Sequence, residues 1–107
     1  MHDDSDRLDR EFALLASRER RAILDRFVSA ETEVATVEEL SRHLTRVVAD
    51  GGEAESPSTG VVRARLHHVH LPKLERHGLV EHDPRSGTVR YQSDERIERI
   101  LTLAAEL

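Results

Sequence analysis

The sequence contains no cysteine and no tryptophan, and only two phenylalanines and one tyrosine represent the aromatic residues. The first absence excludes disulfides, thiolate metal sites and cysteine nucleophiles together. With aromatics at 3%, leucine, valine and isoleucine must fill the core. No apolar run approaches the length of a membrane span or of a signal-peptide core, so a cytoplasmic protein without membrane association is expected. Catalytic signatures are missing too: there is no Gly-rich phosphate loop, no G-x-S-x-G elbow and no H-E-x-x-H pair. The many carboxylates fit solvated helix faces better than an acid–base pair. Neither an enzyme nor a bound cofactor is expected.

What is present is charge. Hydrophobic residues make up 37% of the chain and charged residues 35%, a balance that suits amphipathic helices rather than buried strands. Its 107 residues suit a single domain spanning 1–107 with one modest core. The formal net charge is −5, but residues 1–60 hold 8 Arg against 14 Asp and Glu, whereas residues 61–93 hold 5 Arg and 1 Lys against 3. That one positive block also carries five of the seven histidines. A basic element on an acidic body is the electrostatic footprint of a DNA reader. Fifteen arginines accompany a single lysine; with the acid excess this resembles proteins of salt-loving archaea, and GC-rich coding produces the same bias.

The positive block, GVVRARLHHVHLPKLERHGLVEHDPRSGTVRYQ (60–92), predicts a long helix over 60–77 and a two-stranded hairpin over 79–92. Val62, Leu66 and Val69 are spaced by four and three, and Leu71 and Leu74 follow. Gly78 suits the left-handed residue that ends a helix. LVEH (79–82) and TVRY (88–91) read as strands joined by the turn chemistry of DPRSG (83–87). Pro72 has no N–H and presses on the carbonyl of His68. The helix must therefore bend near 68–71 or restart with Pro72 in its first turn. Such a bend either aims the N-terminal half outward or wraps the helix around a small core.

Upstream, residues 1–6 are polar and expected to fray. Leu8, Phe12 and Leu15 mark a first amphipathic helix. Ser17 is the N-cap of a second, whose apolar stripe is Ile23, Leu24, Phe27 and Val28 and whose solvated face carries Arg20, Arg21 and Arg26. Residues 31–35 form a connection with room for a minimal edge strand. Thr36 and Glu39 make a capping box for a third helix carrying Val37, Leu40, Leu44 and Val47. Residues 49–58, ADGGEAESPS, read as a loop, and Ser56, Ser58 and Thr59 are equally good starts for the helix that follows. Asp94 caps a terminal helix over 94–107 with Ile97, Ile100, Leu101, Ala104 and Leu107 on one face. The expected fold is α+β and mostly α, a winged helix-turn-helix with a C-terminal hairpin wing and a terminal helix.

LASRERRAIL (15–24) resembles the opening of ArsR-type winged-helix regulators, and HLPKLERHGLV (70–80) resembles the end of their recognition helix running into the wing. LHHVHLPKL (66–74) with TVRY (88–91) is similar to a haloarchaeal family of small winged-helix proteins of unassigned function. The resemblance implies a transcriptional regulator. The sensory cysteines of metal-responsive ArsR repressors are absent, so metal sensing by that route is not implied.

These observations lead to a DNA-binding homodimer as the expected form, with double-stranded DNA as partner. Arg63, Arg65 and His68 are the candidates for the groove face, with His67 beside them. Lys73 and Arg76 are placed near phosphates, Arg85 at the wing turn, and Arg90 where it positions the hairpin. Leu8, Phe12, Ile97, Ile100, Leu101, Ala104 and Leu107 are the candidate dimer contacts; the competing reading is that both terminal helices complete the monomer's core. His67, His70 and His77 fall on one side of an ideal helix and two imidazoles three apart can share zinc, with Glu81 or Asp83 as a further ligand. The bend at Pro72 spoils that alignment, and no metal site is assigned. The rival to DNA reading is a winged protein–protein module, favoured by the net acidity and the long loop.

Overall fold

A computed structural model of the chain describes residues 2–50 and 58–106. Its elements are helices α1 (His2–Leu15) and α2 (Arg18–Ala30), strand β1 (Val34–Thr36) and helix α3 (Val37–Asp50). Then come α4 (Thr59–Arg65), a π-helical turn (Leu66–His70), α5 (Leu71–Arg76), strands β2 (Val80–Asp83) and β3 (Thr88–Tyr91), and α6 (Glu95–Ala105). The strands form one antiparallel sheet in the order β1-β3-β2. Helices α2 and α3, edge strand β1 between them, the helix 59–76 and the closing β2–β3 hairpin make the winged helix-turn-helix arrangement, α+β and mostly helical.

Local chemistry explains most boundaries. The Ser17 hydroxyl accepts from the Arg20 amide at 3.2 Å and opens α2. Thr36 Oγ1 accepts from the Glu39 amide at 3.0 Å while Glu39 Oε1 accepts from the Thr36 amide at 3.3 Å, a reciprocal capping box. Of the three candidate starts for α4, Ser58 is the cap: its Oγ accepts from the Val61 amide. Asp94 caps α6 through the amides of Arg96 and Ile97. Gly78, at φ 70°, ends α5, and the Leu79 amide reaches back to the Leu74 carbonyl at 3.0 Å. Glu31 takes the same left-handed conformation at φ 52° after α2 without glycine's freedom.

Several sequence expectations require correction. Of the stretch 1–6 expected to fray, His2–Asp6 is helical, with no glycine or proline there to stop it, and Met1 lies outside the described residues. Ala49 and Asp50 belong to α3; residues 51–57 of the expected loop lie outside the described residues. In α1 the inward face runs through Leu8, Glu11 and Leu15, and Phe12 points outward at 54% exposure. Val28 of α2 is exposed as well. Arg20 is not on a solvated face but buried.

The core is built from Ile23, Leu24 and Phe27 of α2, Leu40 and Leu44 of α3, and Val62, Leu66, Leu71 and Leu74 of the long helix, closed by Leu79, Val89, Ile97 and Leu101. Phe27 stacks on Tyr91 at a centroid distance of 5.4 Å, and the Tyr91 hydroxyl donates to Glu98 at 2.6 Å. Burial, reinforced by Glu98, pushes that phenol's pKa well above its ordinary value. Hairpin and α3 are joined where the Val37 amide donates to the Gly87 carbonyl at 2.8 Å. The long helix is thereby fixed between α3 and the wing.

Candidate nucleic-acid interface

The helix 59–76 is continuous, and its middle turn is wide. Leu71 donates to the Leu66 carbonyl five residues back, so the chain enters Pro72 through a π turn. The extra residue in that turn accommodates the proline, which would otherwise leave the His68 carbonyl unpaired in a tight α-helix. It also rotates everything beyond it. Inward positions run Val62, Leu66, His70, Leu71, Leu74, so Val69 is turned out at 40% exposure and His70 takes the inward place. Of the two expectations for Pro72, the restart is the one observed: Pro72 stands in the first turn of α5, which the chain enters through the π turn with a change of register.

His70 is held by groups from α2. Its Nε2 meets Glu19 Oε2 at 2.5 Å and its Nδ1 lies 3.4 Å from a terminal nitrogen of Arg20. Arg20 also donates through Nε to the Leu14 carbonyl at 2.6 Å and through its second terminal nitrogen to Ala13 at 3.3 Å. Arg21 donates to Leu15 at 2.6 Å. Two arginines of α2 therefore satisfy the last carbonyls of α1, groups with no intrahelical partner. Burial lowers the His70 pKa against the opposing pull of Glu19, and burial lowers that of Arg20 likewise.

The outer face of α4 follows from this anchoring. Val62 and Leu66 point inward, which sets Ala64 and His68 on the opposite side, both exposed. Arg63 and His67 occupy one flank and Arg65 the other. Arg65 leans toward α2, 3.5 Å from Glu19 Oε1, so it must leave that carboxylate to reach a base edge. His67 lies beside the hairpin: its ring is 5.5 Å from that of His82. Burial and then the neighbouring His82 and Arg63 lower the His67 pKa. His82 faces the same side of the sheet as Val89, its register partner, and its Nε2 is buried without a hydrogen-bond partner.

At the hairpin tip, Asp83 accepts from the Arg85 amide and from the Ser86 hydroxyl, both at 3.0 Å. These bonds hold the turn and leave the Arg85 side chain exposed. Arg90 is exposed on β3, in register opposite Glu81. The structure thus gathers Arg63, His67 and the wing on one flank of α4, with His68 outermost. It does not gather Lys73 and Arg76 with them: those two line a cavity against α1 together with Arg10 and Arg20.

The other expected sets separate. Of the three histidines considered for zinc, His67 faces His82, His70 binds Glu19, and His77 lies beside Arg10 and Glu11. Among the described residues no three such side chains are placed to hold a metal. Of the candidate dimer contacts, Ile97 and Leu101 are consumed by the chain's own core, at 2% and 5% exposure. Ile100 is partly buried against that core. Leu8 and Ala104 are half-buried, Phe12 is open, and Leu107 lies outside the described residues. Glu11 is buried and accepts Arg96 Nε at 2.7 and 2.9 Å, which ties α1 to α6 within one chain.

Glu11, Glu19 and Arg20 are the residues sequence reasoning missed, and two of them left a signal. Arg20 precedes Ile23, Leu24 and Phe27 by three, four and seven, squarely on the apolar stripe, and Glu11 stands in the same relation to Leu8 and Leu15. A charged residue at a core position of a helix announces a buried partner elsewhere in the chain.

Among the described residues no helix is long and apolar enough to cross a membrane. No curated protein and no solved structure matches the chain. A family model described as Domain of unknown function (DUF7344) matches residues 12–90, a span that runs from the last turn of α1 into β3 and includes the whole of the long helix. The chain belongs to the DUF7344 family.

Proposed function

We propose that the chain is a DNA-binding transcriptional regulator of ArsR-like type, cytoplasmic, binding rather than catalytic, and active as a homodimer on double-stranded DNA. The observation that carries this reading is the exposed outer side of α4: Arg63 and His68 stand free there, flanked by a hairpin with Arg85 at its tip. All of them lie in the positive block of an otherwise acidic chain. Arg63 and His68 would meet base edges in the major groove, Arg65 would join them by exchanging Glu19 for DNA, and Arg85 would contact a phosphate. Arg90 shapes the hairpin. The arginine usage and acid excess support a salt-loving archaeal source. High internal salt there screens the repulsion between an acidic body and DNA.

For the dimer, Phe12 on α1 and Leu103 on α6, 54% and 62% exposed, are the apolar side chains left for a second copy, with Leu8 and Ala104 beside them. Pairing through these helices would set two long helices into successive major grooves, about 34 Å apart. Selection from a randomised duplex pool tests the reading: a recovered motif with two related half-sites supports it. A pool that never enriches at any salt points to the winged protein–protein module, the reading that net acidity favours. Light scattering tests the dimer, with Leu103→Asp expected to give monomers and a monomeric wild type at high concentration removing it.

A further inference from the structure

The long helix carries a second cluster of cations at its other end, away from the face assigned to DNA. A half-open cavity of about 180 Å³ lies between α1 and α5, and Arg10, Arg20, Lys73, Arg76 and His77 line it. No carboxylate is among its lining residues, in a chain whose acidic residues outnumber its lysines and arginines, 21 to 16. Arg10, Lys73 and Arg76 make no ion pair among the described residues, a condition they share with Arg63 and Arg85 but not with Arg65. Arg20 spends three of its five donors on Leu14, Ala13 and His70, leaving two. Burial and then the charge of Arg10 lower the pKa of His77, with Glu11 opposing them from the adjoining recess.

We propose that this cavity binds a small phosphate-class oxyanion, inorganic phosphate or a compact phosphomonoester. Guanidinium groups match the paired oxygens of such an anion, and Lys73 adds a point charge. A recess lined by one sign of charge focuses its field on whatever enters. The volume lies below the roughly 300 Å³ at which sites for drug-sized ligands begin, which favours an ion over a nucleotide. A buried arginine at the floor, already fixed by backbone carbonyls, loses no side-chain freedom on binding. The same guanidinium touches His70 in the π turn, so the site adjoins the anchor of the long helix. The proposal holds whether or not the chain binds DNA, because its primary readouts contain none.

The test is a titration of the full chain with inorganic phosphate at fixed potassium chloride, followed by calorimetry and by broadening of the phosphorus-31 resonance. The expected result is saturable one-to-one binding in the millimolar range or tighter, with a melting temperature that rises and then levels as the site fills. Arg10→Gln and Arg76→Gln, both exposed side chains, should each weaken binding about tenfold or more, and Arg46→Ala on the exposed side of α3 should not. Phosphate at high concentration stabilises many proteins through exclusion from their surface. A rise that never saturates and is equal in wild type and variants therefore overturns the proposal. A duplex phosphate offers the same chemistry. Phosphate retained when duplex is added supports the free ion, and stoichiometric release by duplex assigns the cavity to DNA and overturns it.

Discussion

The two ends of the helix 59–76 are both basic, and its histidines lie between them, yet the surroundings of the two ends differ. The N-terminal end projects, with Arg63 and His68 on an exposed face and only Arg65 drawn back to Glu19. The C-terminal end runs beside α1, where the exposed side chains of Lys73 and Arg76 line a half-open recess. Between them lies the π turn, where His70 replaces Val69 on the inner side. The difference teaches that the sign of charge along a helix does not assign its partner. A projecting cation can enter a groove, whereas a recessed one suits something small enough to come to it.

The largest effect expected from disturbing this division concerns the register on either side of the π turn. Leu74→Ala, at a fully buried position, should cost about 2–5 kcal/mol in urea unfolding. Val69→Ala should stay within about 0.5 kcal/mol. A straight α-helix keeping Val69 on the core stripe with Leu66 would make the Val69 substitution costly, and that outcome would remove the wide turn.

Next comes the anchor. Arg20→Ala deletes the donors to Leu14, Ala13 and His70 at once. The expected loss is about 1.5–3 kcal/mol, or roughly 4–8 °C in Tm for each kcal/mol. Arg18→Ala on the exposed side of the same helix should be close to silent. Equal effects of the two would mean that α1 is not held by α2 in this way.

Acid should produce a smaller, graded effect. Burial lowers the pKa of His70, and partial desolvation lowers those of His77 at the recess and of His67 and His43 elsewhere. A histidine whose folded pKa lies below its unfolded value takes up its proton more readily in the unfolded chain. Its contribution is therefore complete above the unfolded value of about 6.5 and is lost as pH falls from there toward the folded pKa. Tm should decline over that range, and His77→Gln should flatten the decline. A Tm that rises on acidification through the histidine range would contradict the burial of these rings.

How much of this was legible depends on the range of the interaction. Ser17, Thr36 with Glu39, Gly78 and Asp94 act within five residues of themselves, and each forms the cap or stop its sequence implies. The hairpin likewise follows from its turn residues. The place of Glu11 on the inward stripe was legible, but its partner was not, because Arg96 is 85 residues away. Phe12 competed with Glu11 for the inward face on hydrophobicity alone. The inward place of His70 required the width of one turn, which Pro72 hinted at without specifying. The recess at Lys73 and Arg76 was invisible because α1, which forms its other wall, meets α5 only in three dimensions. Ile97 and Leu101 had the periodicity of either a core or an interface, and burial within one chain decided between them.

If DNA is read at the projecting end of the helix and not at the end that lines the recess, substitutions at the two ends must behave differently. Fluorescence anisotropy on a selected duplex and a random one, across potassium chloride concentrations up to molar, tests this most directly for wild type, Arg63→Ala, Arg85→Ala and Arg76→Gln. Arg63→Ala should cost about 1–3 kcal/mol on the selected duplex and relax the preference at one base pair. Arg85→Ala should weaken both duplexes alike and lower the slope of log affinity against log salt by about one. Arg76→Gln should leave both affinities nearly unchanged. Wild-type binding that never prefers the selected duplex, or a loss larger at Arg76 than at Arg63, would contradict the account.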